Sequence, residues 1–317
     1  MSGPVHPPKR KVKIISTGEQ VARRPPGRPP SVHKLKNIKR EGVVADPESK
    51  ENSIELYFAF PMIFKKLYVL YKNINVTDII MVFEPDRIEL HGYSCSSKAV
   101  AMTIINASLA HRYYCEQSLV IKMSREASEK IMNRIDPKFY ESIEFTIKQF
   151  THSLSNMTVI LRNNNLKSYS VHDVNITTDN IGDYLKERWD IVYPLSFKLS
   201  KQDFKKYISD VKSISNTVTI IKPQGHPMYF SYTKEGSMLS VKDMFLDENK
   251  IDLVCTHDGI ILAATIDVSE IMPISNSQIA EEIKIYVHNL HKMMLVVQMD
   301  EAVETKILLP IQDLRPN

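Results

Sequence analysis

Cysteine and glycine are scarce in this 317-residue chain. The three cysteines, Cys95, Cys115 and Cys255, form no CxxC pair and have no histidine at metal-ligand spacing, which excludes a disulfide framework and a zinc site. They read as reduced thiols of an intracellular protein. The nine glycines build no glycine-rich phosphate loop. No apolar run reaches the roughly 18 to 20 residues of a membrane span, and the first residues are proline-rich and charged rather than signal-like. A soluble protein with no membrane partner is expected. His172-Asp173 and His257-Asp258 could suggest acid–base pairs, but no nucleophile or acidic metal cluster accompanies them. Each follows a strand edge and reads as surface or turn, so no catalytic residue, cofactor or metal is expected.

What is abundant is charge, unevenly placed. Residues 1–52 hold 12 Lys and Arg against 5 Asp and Glu, leaving 29 against 32 for the remainder. A basic arm precedes a mildly acidic body, so any cationic surface on that body is local. The arm is rich in proline and poor in apolar side chains, the composition of a disordered segment. Within it Pro26-Gly27-Arg28-Pro29 is similar to an AT-hook core, in which Arg28 would reach base edges in the A·T minor groove. Pro8-Lys9-Arg10-Lys11-Val12-Lys13 is similar to a nuclear import signal.

The body repeats itself. Over Pro61–Ile74, at roughly 100° per residue, Ile63, Phe64, Leu67, Leu70, Tyr71 and Ile74 share one arc while Lys65 and Lys72 lie opposite. Lys201–Ile214 matches it at a displacement of 140 residues, pairing Phe204 with Phe64, Lys205 and Lys206 with Lys65 and Lys66, and Lys212 with Lys72. Each helix follows a short alternating run, Ile54–Phe60 or Leu195–Ser200, and precedes a β-rich one. The chain therefore reads as a duplicated strand–helix–strand unit. Further strands are expected at 79–83, 87–93, 99–105, 119–123, 142–149, 157–162 and 167–176, with Ser124 capping a helix to Ile135. In the second half they are expected at 218–221, 228–232, 237–242, 251–255, 260–267, 282–287, 293–299 and 303–309, with a poor helix at Val268–Ala280 interrupted by Pro273. Residues 177–194 break the alternation between the halves and form a connector.

Two helices per half among many short strands, lysines facing away from the apolar arc and a long connector resemble the sliding clamps of the proliferating cell nuclear antigen family. Tyr114-Cys115-Glu116-Gln117-Ser118-Leu119, Ile181-Gly182 and Leu309-Pro310-Ile311-Gln312 carry the resemblance in order along the chain, which covers Ile54 to about Gln312. It is nearest the clamp-like proteins of large nucleocytoplasmic DNA viruses of the African swine fever virus type. The resemblance implies an α+β DNA clamp fold: two similar domains, 53–176 and 195–312, each with two helices packed on antiparallel sheets, joined by a connector at 177–194 and followed by a tail at 313–317. It also implies a head-to-tail ring of three chains around double-stranded DNA, contacted without regard to sequence. Lys65, Lys66, Lys72, Arg125, Lys130, Arg134, Lys205, Lys206 and Lys212 would line the hole. The fourth helix brings no base to it. DNA polymerase and other replication and repair proteins would dock through short peptides on Lys98, Ile181, Gly182, Leu309, Pro310 and Ile311. Tyr169 and Val171 of one chain would meet Met238 and Val241 of the next. The implied function is a processivity factor in the host cytoplasm, in virus factories, with the host nucleus as a second compartment.

Two other functions fit parts of the same pattern. A clamp-fold DNA-binding protein could serve viral transcription, with the arm placing it at A·T-rich promoters. A DNA-modifying enzyme would need a convergent catalytic set, which the sequence lacks.

Overall fold

The computed structural model describes residues 52–312 apart from 97, 137, 149–153, 164, 179–188, 235, 237–238, 246–247, 254–261 and 278–280. The arm with Arg28, the tail at 313–317, and Ile181, Gly182, Met238, Cys255 and His257-Asp258 lie outside the described residues. The first half runs β1 (Asn52–Phe58), α1 (Met62–Asn73), β2 (Asp78–Phe83), β3 (Arg87–Tyr93), β4 (Val100–Asn106), β5 (Arg112–Cys115), β6 (Leu119–Ser124), α2 (Arg125–Met132), β7 (Ser142–Lys148), β8 (Leu154–Asn163) and β9 (Ser168–Thr178). The second runs β10 (Leu195–Ser200), α3 (Lys201–Ile214), β11 (Thr217–Lys222), β12 (Met228–Thr233), β13 (Ser240–Phe245), β14 (Ile251–Leu253), β15 (Leu262–Asp267), α4 (Val268–Ser275), β16 (Glu282–Val287), β17 (Met293–Asp300) and β18 (Val303–Leu309).

The strands form a 14-stranded sheet, ordered β14-β10-β16-β17-β18-β4-β3-β2-β6-β9-β8-β7-β1-β5, and a four-stranded one, ordered β13-β12-β11-β15. All paired neighbours are antiparallel. Residues of alternate parity go to opposite faces, as strand geometry requires. Ala101, Leu295 and Ile307 enter the main core with Leu67 and Leu70 of α1, while Val100, Met294 and Leu308 face the other way.

Three of these helices begin where a side chain caps them. Ser124 accepts from Ala127 N, Ser200 from Asp203 N and Asp267 from Ser269 N. Met62–Asn73 departs from this: Pro61 precedes it with no side-chain cap, a position proline tolerates because the first N–H groups have no intrahelical partner. The second helix stops at Met132, short of the expected Ile135, because Arg134 and Ile135 donate to carbonyls three residues back and wind the last turn tighter. The fourth runs unbroken through Pro273 to Ser275, where hydroxyls of Ser275 and Ser277 take up the carbonyls of Met272 and Ile274. Strand β5, only four residues long, went unread in the sequence.

The duplication is visible in the pairing. Leu90 faces Thr103 across β3 and β4, and Phe230 faces Asp243 across β12 and β13, the same displacement as that between α1 and α3. Gly92 lets α1 sit close on β3: a Cβ there would lie 2.7 Å from the Tyr71 ring. The halves join where β18 pairs with β4 along Val303–Leu308. At the middle of that seam the buried Thr103 and Thr305 hydroxyls meet at 2.9 Å, and Tyr71 Oη reaches Thr103 at 3.1 Å while donating to Leu90 O.

Candidate nucleic-acid and partner interfaces

The four helices lie in the order α2, α1, α4, α3, since α1 packs beside both α2 and α4, and α3 beside α4. Apolar residues at helical spacing, such as Phe64, Leu67 and Tyr71, or Phe204, Ile208 and Val211, turn inward and leave the intervening basic residues outward. The expected basic residues are all on or just after these helices, but their states differ. Lys65, half-buried, donates to Ile135 O. Lys72 is hydrogen-bonded to Glu129 of α2, which holds its ammonium above the ordinary lysine value. Lys130 pairs with Glu126 at 2.8 Å, and Arg125 donates to Asn75 Oδ1 at 3.2 Å. Lys205, Lys206 and Lys212 are exposed, with Lys212 Nζ 2.9 Å from the Met272 sulfur.

Lys201 was missed. It opens α3, half-buried, and its ammonium is held below the ordinary lysine value by burial and by the positive charges of Lys66 and Lys205. A lysine of α1 and one of α3 thus both repel the Lys201 ammonium, an arrangement that an anion would relieve. The repeat hid this residue, because 140 positions earlier stands Pro61.

One residue of the expected partner site, Leu309, needs correcting. Leu309 is fully buried in the main core and offers no apolar surface to a peptide, while Ile311 is half-buried and packs against that core. The reason is strand parity: the residue facing the connector is Leu308. Leu308, Val100, Met294 and Tyr193 form a second apolar cluster on the opposite face, flanked by Trp189, Ile191, Tyr286 and Val296. Tyr193 Oη donates to Lys292 O at 2.9 Å and its ring meets Tyr286 and His288 edge-on. The Trp189 indole N–H is buried with no hydrogen-bond partner among the described residues. Beside this cluster Val192 and Leu290 are each 69% exposed. Lys98 is exposed in the turn before β4 with φ 56°, and Pro310 is half-buried.

Among the open strand edges of the described residues are those of β9 and β13. Strand β9 pairs with β6 only at Thr177 and Thr178, so its first nine residues carry a strand partner on one side alone among those described. Strand β13 ends the four-stranded sheet. Tyr169 and Val171 are exposed, whereas Val241 turns to the core face and packs there, so it does not share a face with them. The outward residues of β13 are Ser240, Lys242 and Met244. His172 and Asp173 lie within β9 and not after it: His172 Nε2 is 2.8 Å from Ser170 Oγ, and Asp173 accepts from Thr158. Burial, then the charge of Arg134, holds the imidazole below the ordinary histidine value.

No protein-family model matches the chain. In sequence it is similar to the uncharacterized protein E301R of African swine fever virus. A Kenyan pig isolate and a Namibian warthog isolate each give 22% identity over 295 residues, 90% of this chain and 97% of the relative. In structure it is similar to the proliferating cellular nuclear antigen of Entamoeba histolytica. The TM-score is 0.66 at 13% identity, covering 82% of this chain and 99% of that one. The chain has the DNA clamp fold, as the resemblance led us to expect. Among the described residues no helix is long and apolar enough to cross a membrane.

Proposed function

We propose that this chain, with the fold of the proliferating cell nuclear antigen clamps, is a sliding clamp: three copies closed head to tail around duplex DNA, tethering a polymerase and other replication and repair proteins. The observation that carries this reading is the pair of open edges. Within one chain β18 closes on β4; β9 is the counterpart of β18 and β13 the counterpart of β4, and both lack that closure. A second copy supplies the missing strand. Such a contact uses different patches on the two partners, so it closes into a ring or runs on as a filament. A joint that repeats the internal seam repeats its rotation, and six halves complete the ring in the family this fold resembles.

Inside the ring the helix lysines face phosphates without reading bases, which lets the ring move along the duplex. Tethering uses the outer face beside the connector, where Val192 and Leu290 stand exposed over the Tyr193 cluster. The chain acts in the replication of a large DNA virus, in the host cytoplasm. Light scattering on the full chain tests assembly: the expected mass is three times the 36.4 kDa of one chain. Monomer alone, with and without DNA, overturns the proposal. Retention on circular DNA that disappears when the circle is cut tests encirclement.

A further inference from the structure

We infer that the joint between copies repeats the register of the internal seam and is keyed by charge, with Asp243 of one copy set against His172 and Arg134 of the next. This rests on the ring reading above and adds the residues that make the contact specific.

The register follows from the duplication. The pairs across β3–β4 and β12–β13 make Thr103 the counterpart of Asp243. Lys122 pairs with Thr177, and its counterpart Thr265 pairs with Gln312, so β18 answers to β9 with Thr305 at the place of Ser170. The seam sets Thr305 opposite Thr103 and Ile307 opposite Ala101. Carried to the open edges, Ser170 stands opposite Asp243, His172 opposite Val241, Val171 opposite Lys242 and Tyr169 opposite Met244.

The chemistry at the two places differs. Inside the chain this position of the seam is neutral, hydroxyl to hydroxyl. At the open edge the position of Thr103 holds a carboxylate: Asp243, half-buried, accepts from Tyr232 Oη at 2.7 Å. On the same side of the sheet the facing edge presents the His172 imidazole as a hydrogen-bonding group, and the opposite charge comes from Arg134 beside it. His172 is bonded to Ser170, and Arg134 is close enough to act on its titration. On the outer side the signs invert, since Asp173 of β9 lies diagonal to Lys242 of β13 in this register. Diagonal cross-strand neighbours are about 7–8 Å apart, within reach of long side chains. Each edge therefore carries one acid and one base on opposite faces. Pairing β9 with β13 matches them; pairing either edge with itself brings like charges onto the same face. The device selects the head-to-tail contact against dead-end dimers.

The test is charge reversal with rescue in the full chain. Asp243→Lys alone, and Arg134→Glu with His172→Glu alone, should each raise the dissociation constant of the assembly at least tenfold. The three changes together should restore it to within a few-fold, with thermal melting confirming that every variant is folded. In chains also carrying Cys95→Ser, Tyr169→Cys with Met244→Cys should cross-link between copies on mild oxidation, whereas Tyr169→Cys with Ser240→Cys should not. An assembly in which rescue fails, or in which the shifted cysteine pair cross-links instead, overturns the keyed joint and leaves the ring standing. A wild-type chain that stays monomeric in all conditions overturns both.

Discussion

Lys72 of α1 is bonded to Glu129 of α2, and Lys65 to Ile135 O in the turn after that helix, whereas their counterparts Lys212 and Lys205 in the second half are exposed. The difference comes from the partner helix. Counting from the two N-caps, the position of Glu129 in α2 is that of Met272 in α4, and Lys212 meets its sulfur in place of a carboxylate. A neutral acceptor leaves the ammonium's charge uncompensated. One scaffold repeated twice thus holds the same two lysines differently, hydrogen-bonded to the neighbouring helix in the first half and exposed in the second. Contact with a polyanion should therefore fall mainly on α3, with Lys66 and Lys201 at its edge.

The largest expected effect breaks or keeps that comparison. In a chain beginning at Asn52, Lys205→Ala, Lys206→Ala and Lys212→Ala together should flatten the slope of log K against log salt on duplex DNA. Each phosphate that is no longer neutralised changes the slope by about 0.9, or about tenfold in affinity at 0.1 M salt. Lys65→Ala with Lys72→Ala should cost clearly less per lysine. Equal effects in the two sets would mean that the ion pair and the capped carbonyl open when DNA arrives, and the contrast between halves would fall.

Stability offers a second contrast. Leu309 of β18 is fully buried, and Leu309→Ala should cost about 2–5 kcal/mol. Its counterpart in β9, Val174, is also buried but gives up fewer carbon atoms, so Val174→Ala should cost about 2 kcal/mol. Leu290→Ala, on the exposed turn beside the connector, should leave the melting temperature within a degree. A stable Leu309→Ala chain with weakened partner binding would restore the residue to the docking surface from which its burial removes it.

The fold was readable because its signals are local and doubled. The alternation at Leu195–Ser200, Glu282–Val287 and Val303–Leu309 and the phase of the second FKK helix gave those elements to the residue, and the first FKK helix to within one residue at each end. Resemblance supplied the architecture. Leu309 was misassigned to the partner site because position along a terminal strand does not give parity: Leu308 and Leu309 are equally apolar, and only the pairing with Val100 decides which one faces outward. The pairing of Lys72 with Glu129 was illegible for a similar reason, since 57 residues separate them and only packing of α1 against α2 brings them together.

A substitution that makes the first half resemble the second sharpens the comparison. Glu129→Met should release Lys72 and remove a negative charge from the helix face, steepening the salt slope by up to about 0.9. Met272→Glu should do the reverse by pairing Lys212. If neither slope moves, the helix face carrying these residues is not the face that meets DNA.

The smallest expected effect lies in the sheet and depends on pH. Glu89 of β3 accepts from His91 at 2.9 Å and from Arg87 at 2.7 Å, and these bonds, with the His91 contact the largest cause, hold its carboxyl at about 2. At the matching places β12 has Tyr229 and Ser231, which carry no charge. A carboxylate whose value falls on folding contributes stability above its ordinary value, and that contribution disappears as pH drops toward the folded value. Glu89→Gln should therefore lower the melting temperature by a few degrees at pH 6, with the deficit shrinking between about pH 4.5 and about 2. Tyr229→Phe, in the other half, should show no such closing gap. Melting curves on both variants across that range decide whether acid weakens the first half before the second; parallel curves for Glu89→Gln and the unaltered chain would show that the network leaves stability unchanged.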